Sequence, residues 1–243
     1  MHDKTAAIIV IGNEILSGKV VDTNAAFLSQ ELRKLGVALC RILVIPDELD
    51  AIAEAVRAYH PAFDVVFTSG GVGPTHDDVT IDGIARGLGR AVVRHPWLEQ
   101  KIREFSGAKI NEARLKMAEV PEGAQLVFDG NTSFPTVQVE NIYILPGIPE
   151  IFREKFLGLR ERFAVDPYFV RVVYTRAMES TIAPYLNRTL EAFPLLLLGS
   201  YPKLSDPEYR VRVTLESKDQ EYLNRAFDHL MAQLPTDVVV RTE

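Results

Sequence analysis

The densest run of chemically able residues in the sequence is Thr68-Ser-Gly-Gly-Val-Gly-Pro-Thr-His-Asp-Asp-Val-Thr80. Ser69, Gly70, Gly71, Val72, Gly73, Pro74 and Thr75 follow a short apolar run and precede a stretch of helical periodicity. In that position the backbone amides can form an anion-binding nest, helped by the positive end of a helix dipole. The spacing is neither the dinucleotide fingerprint nor the Walker pattern, whose lysine it lacks. His76, Asp77, Asp78 and Thr80 follow at once. Carboxylates beside a bound phosphate repel it unless a divalent cation lies between, and hard cations such as Mg²⁺ bridge carboxylate and phosphate oxygens. A metal-assisted phosphate site is the chemistry implied, with Asp77 or Asp78 as a plain helix cap the competing reading.

Three further loops follow apolar runs. Gly12-Asn-Glu-Ile-Leu-Ser-Gly18 offers a tight path at its glycines, Asn13 as a polar neighbour and a carboxylate at Glu14, or is simply a turn with an exposed acid. Leu145-Pro-Gly-Ile-Pro149 can close over a ligand through Pro146 and Gly147, or can merely enter a helix. Asp47, in Ile45-Pro-Asp-Glu48, is either a fourth contributor or the N-cap of the next helix. Other residues rate lower. His2, His60, His95 and His229 are scattered without metal-ligand spacing, Cys40 reads as a core residue of a strand, and Trp97 as a packing residue. Arg153, Lys155, Arg160 and Arg162 stand among acids and read as a solvated face, and no Gly-x-Ser-x-Gly elbow occurs.

The elements that would position these loops are short, nearly continuous apolar runs alternating with helical periodicity, the pattern of buried parallel strands. Strands are expected at 6–11, 38–45 and 64–68, with helices at 23–35 and 48–59; the first helix is capped by Asp22 or Thr23 and stopped by Gly36. A helix should start near Asp78–Val79 and run to Leu88, followed by helices at 96–105 and 111–118, strands at 124–128, 136–139 and 142–145, and a helix at 150–156. This is a doubly wound α/β unit with a mostly parallel sheet, over residues 1–160. Past a linker at 160–167 the pattern changes. Alternating strands at 168–176 and 209–217, helices at 179–193 and 219–234, and strands at 195–200 and 238–241 give the order β-α-β-β-α-β. That is a smaller ferredoxin-like α+β domain over residues 168–243.

Composition narrows the function classes. With 243 residues, 47% of them hydrophobic, the chain can bury a full core. A net charge of −6 argues against general nucleic-acid binding. A single cysteine excludes an internal disulfide and points to a reducing compartment. The first apolar run is too short for a signal-peptide core or a membrane span, so a cytoplasmic protein without membrane association is expected.

Read together, Gly12–Gly18, Asp22-Thr-Asn24, Pro46-Asp-Glu48, Ser69–Thr80, Pro121-Glu-Gly-Ala124 and Leu145–Pro149 resemble the MoaB/Mog molybdopterin-binding family over residues 4–160. Within it the sequence is most similar to CinA-type proteins and to the molybdopterin-binding-like domain of eukaryotic FAD synthases, whose following segment resembles Leu198-Gly-Ser-Tyr-Pro202 and the β-α-β-β-α-β tail. The resemblance implies a three-layer α/β/α fold and a homo-oligomer, dimer or trimer, with a nucleotide or pterin ligand. Mog-type enzymes adenylylate molybdopterin, and their functional aspartates fall on motifs matched by Asp47 and Asp78. CinA-type and FAD-synthase-fused relatives imply metal-dependent hydrolysis of ADP-ribose or FAD with release of AMP. The loop Gly130-Asn-Thr-Ser-Phe-Pro135 departs from the Mog pattern and argues against pterin recognition of that kind, and neither amidohydrolase nor FAD-synthesis activity is expected of these residues.

The leading expectation is a nucleotide pyrophosphatase using Mg²⁺, Co²⁺ or Ni²⁺. Asp78, Asp47 and His76 are its catalytic candidates, and Asp78, Asp77 and Glu14 its metal ligands. Gly12, Asn13, Glu14, Ser69, Gly70, Gly71, Gly73, Pro74, Thr75, Pro146 and Gly147 would contact the ligand. The alternative is a non-catalytic molybdopterin or nucleotide binder, and a third reading gives the small domain's antiparallel sheet to a protein partner.

Overall fold

The computed structural model describes residues 4–128, 134–203, 205 and 207–243. His2 and residues 130–133 of the loop that departs from the Mog pattern lie outside the described residues. The chain divides into two compact units, Met1–Val165 and Asp166–Glu243.

In the first unit the elements run β1 (Thr5–Ile11), α1 (Asn13–Leu16), α2 (Asn24–Lys34), β2 (Ala38–Ile45), α3 (Leu49–Tyr59), β3 (Val65–Ser69) and α4 (Thr80–Leu88). They continue with β4 (Val92–Arg94), α5 (Pro96–Ser106), α6 (Glu112–Lys116), β5 (Glu119–Pro121), β6 (Gln125–Val127), β7 (Thr136–Val139), β8 (Ile142–Leu145) and α7 (Pro149–Leu159). Six strands form one sheet in the order β2-β1-β3-β8-β7-β6. The first four are mutually parallel, and β7 runs antiparallel between β8 and β6.

The three layers follow from the alternation of side chains along each strand. On β1, Ile8 and Val10 face one way with Phe67 of β3 and pack on Leu28 and Leu32 of α2 and Phe152 and Phe156 of α7. Ile9 and Ile11 face the other way with Val66 and pack on Ile52 and Val56 of α3 and Ile84 of α4. Helices α3 and α4 approach closely because Gly83 has no side chain: a Cβ there would lie 2.5 Å from Ile52 Cγ2.

Strand β2 departs from the expectation of a buried strand. It forms the edge of the sheet, and Cys40, Arg41 and Ile42 are exposed. Cys40 is therefore a surface thiol and not a core residue. The helical turn α1 and the antiparallel ribbon of β4 with β5 were not expected from the sequence. Trp97 packs, its ring meeting Phe128 edge to face at 5.1 Å.

In the second unit β9 (Phe169–Thr175), α8 (Glu179–Ala192), β10 (Leu197–Pro202), β11 (Val211–Ser217), α9 (Gln220–Gln233) and β12 (Val239–Thr242) realise the order β-α-β-β-α-β. The antiparallel sheet has the order β10-β11-β9-β12. Val173, Val211, Val213 and Leu215 pack on Ile182 and Leu186 of α8 and on Leu223, Phe227 and Leu230 of α9. Asp219 starts α9, its carboxylate accepting from the Tyr222 amide at 2.9 Å. Among the described residues no helix is long and apolar enough to cross a membrane.

Candidate functional site

Strand register brings the candidate loops together. Ile11 pairs with Ile45, Val10 with Ser69, and Ser69 with Leu145, so the chain leaves all four parallel strands at one level. The segments beginning at Gly12, Pro46, Gly70 and Pro146 therefore lie side by side beyond the carboxyl ends of the sheet, where open α/β folds bind ligands.

The glycine segment turns sharply at Gly70 (φ +103°) and Gly71 (φ +63°). The turn is pinned on three sides: Gly70 N donates to Leu145 O at 3.2 Å, Thr80 N to Gly71 O at 3.0 Å, and the buried Thr80 hydroxyl to Gly70 O at 2.9 Å. Among the described residues the amides of Gly71, Val72 and Gly73 donate to no protein acceptor, which leaves them for an anion. A Cβ on Gly70 would lie 2.2 Å from Ile11 O, and one on Gly147 would lie 3.2 Å from Gly70 Cα, so the two loops meet backbone to backbone.

The acids take more specific roles than capping. Asp47 Oδ2 accepts from the Asn13 amide at 2.8 Å, tying the loop after β2 to the loop after β1. It does not cap α3, whose N-cap is Glu48. The first turn of α4 is entered from Val79 with no side-chain cap, so neither Asp77 nor Asp78 fills that role. Asp78 Oδ2 instead folds the loop back, accepting from the Thr75 amide at 2.8 Å and from the Thr75 hydroxyl. From outside, Lys116 Nζ donates to Thr75 O at 3.0 Å and to Asp78 O at 2.7 Å. Asp77 is exposed, and the neighbouring Thr75 hydroxyl, its own backbone amide and the charges of His76 and Lys116 hold its carboxyl below the ordinary aspartate range. His76 is 99% exposed, with Nδ1 3.9 Å from Asp77 Oδ1. Gly12 makes room for Glu14: a Cβ there would lie 2.5 Å from Glu14 Oε1.

Three hollows surround these loops. An open cleft of about 590 Å³ is lined by Asn13, Glu14, Asp47 and Asp77 together with Lys19. A cavity of about 240 Å³ is lined by Gly71, Gly73, Asp78, Pro146, Lys116 and Lys155, among others, against an apolar wall. A pocket of about 90 Å³ is lined by Glu14, Asp22, Asn24, Ser69, Gly70 and Gly147 with apolar neighbours. Pro74 lines an adjoining apolar hollow. The expected ligand set of Asp78, Asp77 and Glu14 thus divides, because Thr75 draws Asp78 toward the second hollow while Asp77 and Glu14 face the first. Among the described residues no three His, Cys, Asp or Glu side chains converge to hold a metal ion by themselves.

Sequence reasoning missed three residues. Lys155 is not part of a solvated face: its ammonium donates to Phe134 O at 2.7 Å and Pro135 O at 3.1 Å beside the 240 Å³ cavity. Lys116 carried no local signal, since it acts on a loop far away in sequence. Asn24 stood in a quoted motif, but its link to the loops after β3 and β8 is tertiary. Two of the histidines serve structure: His60 Nδ1 lies 2.7 Å from Asn141 Oδ1, and His95 caps α5 by accepting from the Trp97 amide at 3.2 Å.

Two family models match the chain. Residues 7–162 match a family model described as "Probable molybdopterin binding domain", and residues 167–243 match one described as "FAD synthase, middle domain". A protein of Archaeoglobus fulgidus is 37% identical over 219 residues, covering 90% of this chain and 93% of that protein. A "Probable FAD synthase" of Caenorhabditis briggsae is 33% identical over 246 residues, covering 90% of this chain. The alignment takes in 47% of that relative, so the chain spans about half its length. Among solved structures, the protein CinA with unknown function from Thermoplasma acidophilum aligns with a TM-score of 0.61 and 33% identity, covering 66% of this chain and 98% of that one.

Proposed function

Because the chain belongs to the molybdopterin-binding domain family, CinA-type in its first unit and followed by a FAD synthase middle domain, we propose that it is a divalent-metal-dependent nucleotide pyrophosphatase. Its substrate on this reading is an ADP-ribose-like or FAD-like dinucleotide. Water adds to one phosphorus, the bridging P–O bond breaks, and AMP leaves with the second monophosphate, ribose 5-phosphate or FMN. The observation that carries the reading is the glycine nest of Gly70 and Gly71, with unengaged amides at Gly71–Gly73, next to a cleft lined by Glu14, Asp47 and Asp77.

The donor set fits one class of cation. Carboxylate oxygens suit Mg²⁺, Co²⁺ or Ni²⁺ held by one or two side chains, with the rest of the shell left to phosphate oxygens and water. Two of the carboxylates that line the open cleft, from Glu14, Asp47 and Asp77, would hold it. When bound, such a cation offsets phosphate charge and acidifies a coordinated water. The chain supplies the rest. The nest amides orient non-bridging phosphate oxygens and stabilise charge that grows on them. Asp47 fixes the Asn13 amide and with it the approach of Glu14. Asp78 shapes the Thr75–Asp78 loop, and His76, exposed beside it, is the candidate acid or base.

Incubation of the full chain with ADP-ribose or FAD and each metal tests the reading through release of AMP. Metal-dependent AMP release that falls on Asp47→Ala and Asp78→Ala is expected; no metal-dependent AMP from the wild type would overturn it. The unengaged amides of Gly71–Gly73 serve binding as well as catalysis and so support a second reading, binding of molybdopterin or a nucleotide without turnover. Tight binding that survives chelation, with no AMP formed, would select it.

A further inference from the structure

The small pocket on the far side of the Gly70–Gly147 contact holds an unanswered polar group. Asn24, at the start of α2, is 4% exposed. Its Nδ2 donates to Ser69 Oγ at 2.9 Å and to Gly147 O at 2.9 Å. A carbonyl oxygen only accepts, so the bond to Gly147 fixes the orientation of the carboxamide and identifies Oδ1 as the other atom. That oxygen has no hydrogen-bond partner. A buried acceptor without a donor keeps its full desolvation cost, and the pocket that Asn24 lines is the space from which a donor can come.

The remaining walls state what the donor is. Glu14 and Asp22 bring carboxylates, and Asp22 Oδ1 already accepts from the amides of Asn24 at 2.9 Å and Ala25 at 3.1 Å. An anion is therefore repelled. Ile11, Ile15, Val20 and Pro149 are among the residues that add apolar surface, which suits the C–H face of a sugar, and Thr23 adds a hydroxyl. The volume of about 90 Å³ takes the hydroxyl edge of a sugar and not a whole ring system. Gly70 and Gly147 wall this pocket while their neighbours Gly71 and Pro146 line the 240 Å³ cavity, so the two spaces lie on either side of the nest.

We propose that this pocket is the subsite for the ribose hydroxyls of a nucleotide, with Asn24 Oδ1 as an acceptor that recognises the sugar. Resting on the nucleotide reading above, it assigns the ribose of the AMP half, the half common to ADP-ribose-like and FAD-like substrates. Asn24 is a specificity residue here, apart from the groups that surround the phosphates.

Calorimetric titration of the full chain with ADP, 2′-deoxy-ADP and 3′-deoxy-ADP in Mg²⁺ tests it without altering the protein. ADP should bind on the order of 10-fold or more tightly than at least one deoxy form, because the missing hydroxyl leaves a buried acceptor unpaired. In Asn24→Ser the ribo and deoxy forms should bind alike. Equal binding of all three by the wild type would mean that Asn24 Oδ1 takes only a structural water and would overturn the subsite while leaving the nucleotide reading standing. Binding of none of the three would overturn the subsite, while AMP release from ADP-ribose or FAD decides the nucleotide reading separately. Discrimination that persists undiminished in a folded Asn24→Ser protein would overturn the assignment to Asn24; if that variant does not fold, the wild-type comparison decides.

Discussion

Replacing Gly70 by alanine tests whether the nest is a fixed piece of backbone or an adaptable loop. At φ +103° the residue lies beyond the left-handed helical region, where a side chain costs about 1–3 kcal/mol. The new Cβ would also meet the main-chain oxygen of Ile11 at 2.2 Å. That oxygen belongs to a fully buried central strand, so relief requires backbone movement, adding about 1–3 kcal/mol as other overpacked sites do. The sum is roughly 2–6 kcal/mol. Gly89 is the control, with φ +66° and no atom within 4 Å of its Cβ position, so alanine there costs about 1 kcal/mol through backbone conformation alone. Trp97 is the single tryptophan and lies in the first unit, so its fluorescence in urea follows that unit. With a urea dependence of roughly 2 kcal/mol per molar, the midpoint should fall by about 1–3 M for Gly70→Ala and by about 0.5 M for Gly89→Ala. Equal shifts in the two variants would refute the collision with Ile11, and with it the claim that the nest is rigidly seated.

Other perturbations address the supports around the nest. Thr80→Val removes the buried hydroxyl that donates to Gly70 O and should cost about 1–3 kcal/mol in the same urea assay, since the carbonyl is left unpaired. Gly83→Ala forces a methyl against Ile52 between α3 and α4; about 1–3 kcal/mol of destabilisation is expected, and an unchanged midpoint would show that the helices can separate freely. Lys116→Met takes two donors from the Thr75–Asp78 loop and should lower the thermal midpoint by a few degrees, on the order of 1–2 kcal/mol, read by scanning calorimetry. Asp77 should titrate below the ordinary aspartate range in a carboxyl-carbon NMR experiment, and Thr75→Val should bring the midpoint back up. A lowered native value favours the folded state above the unfolded-state value and loses that contribution as pH falls through the native one.

The sheet was legible because Ala6–Ile11 and Val65–Ser69 are buried on both faces and read as unbroken apolar runs. The same signal gave the bounds of β2 but not its burial. An apolar run reports what a strand could bury, not whether helices cover it, and at the sheet edge Cys40 and Ile42 stay exposed. The ribbon of β4 and β5 escaped because strands of three residues carry no measurable periodicity. At the site, the glycines after β3 announced a turn, yet no local rule could tell that Asp47 bonds to Asn13 or that Asp78 turns back to Thr75. Those bonds compete with helix capping, which Asp residues in such positions usually provide, and tertiary geometry decided between them.

The span of the Asn24 contacts gives the site a place in time as well as in space. Asn24 reaches Ser69 across 45 residues and Gly147 across 123. Contacts this distant along the chain form late, since long loops must close before they are rewarded. A nascent chain lacks the floor of the pocket until residues beyond Gly147 have been made and docked. If the pocket takes a ligand as proposed, capture would require the finished first unit, and a ligand present during synthesis would hold that unit against unfolding by mass action without trapping any earlier state.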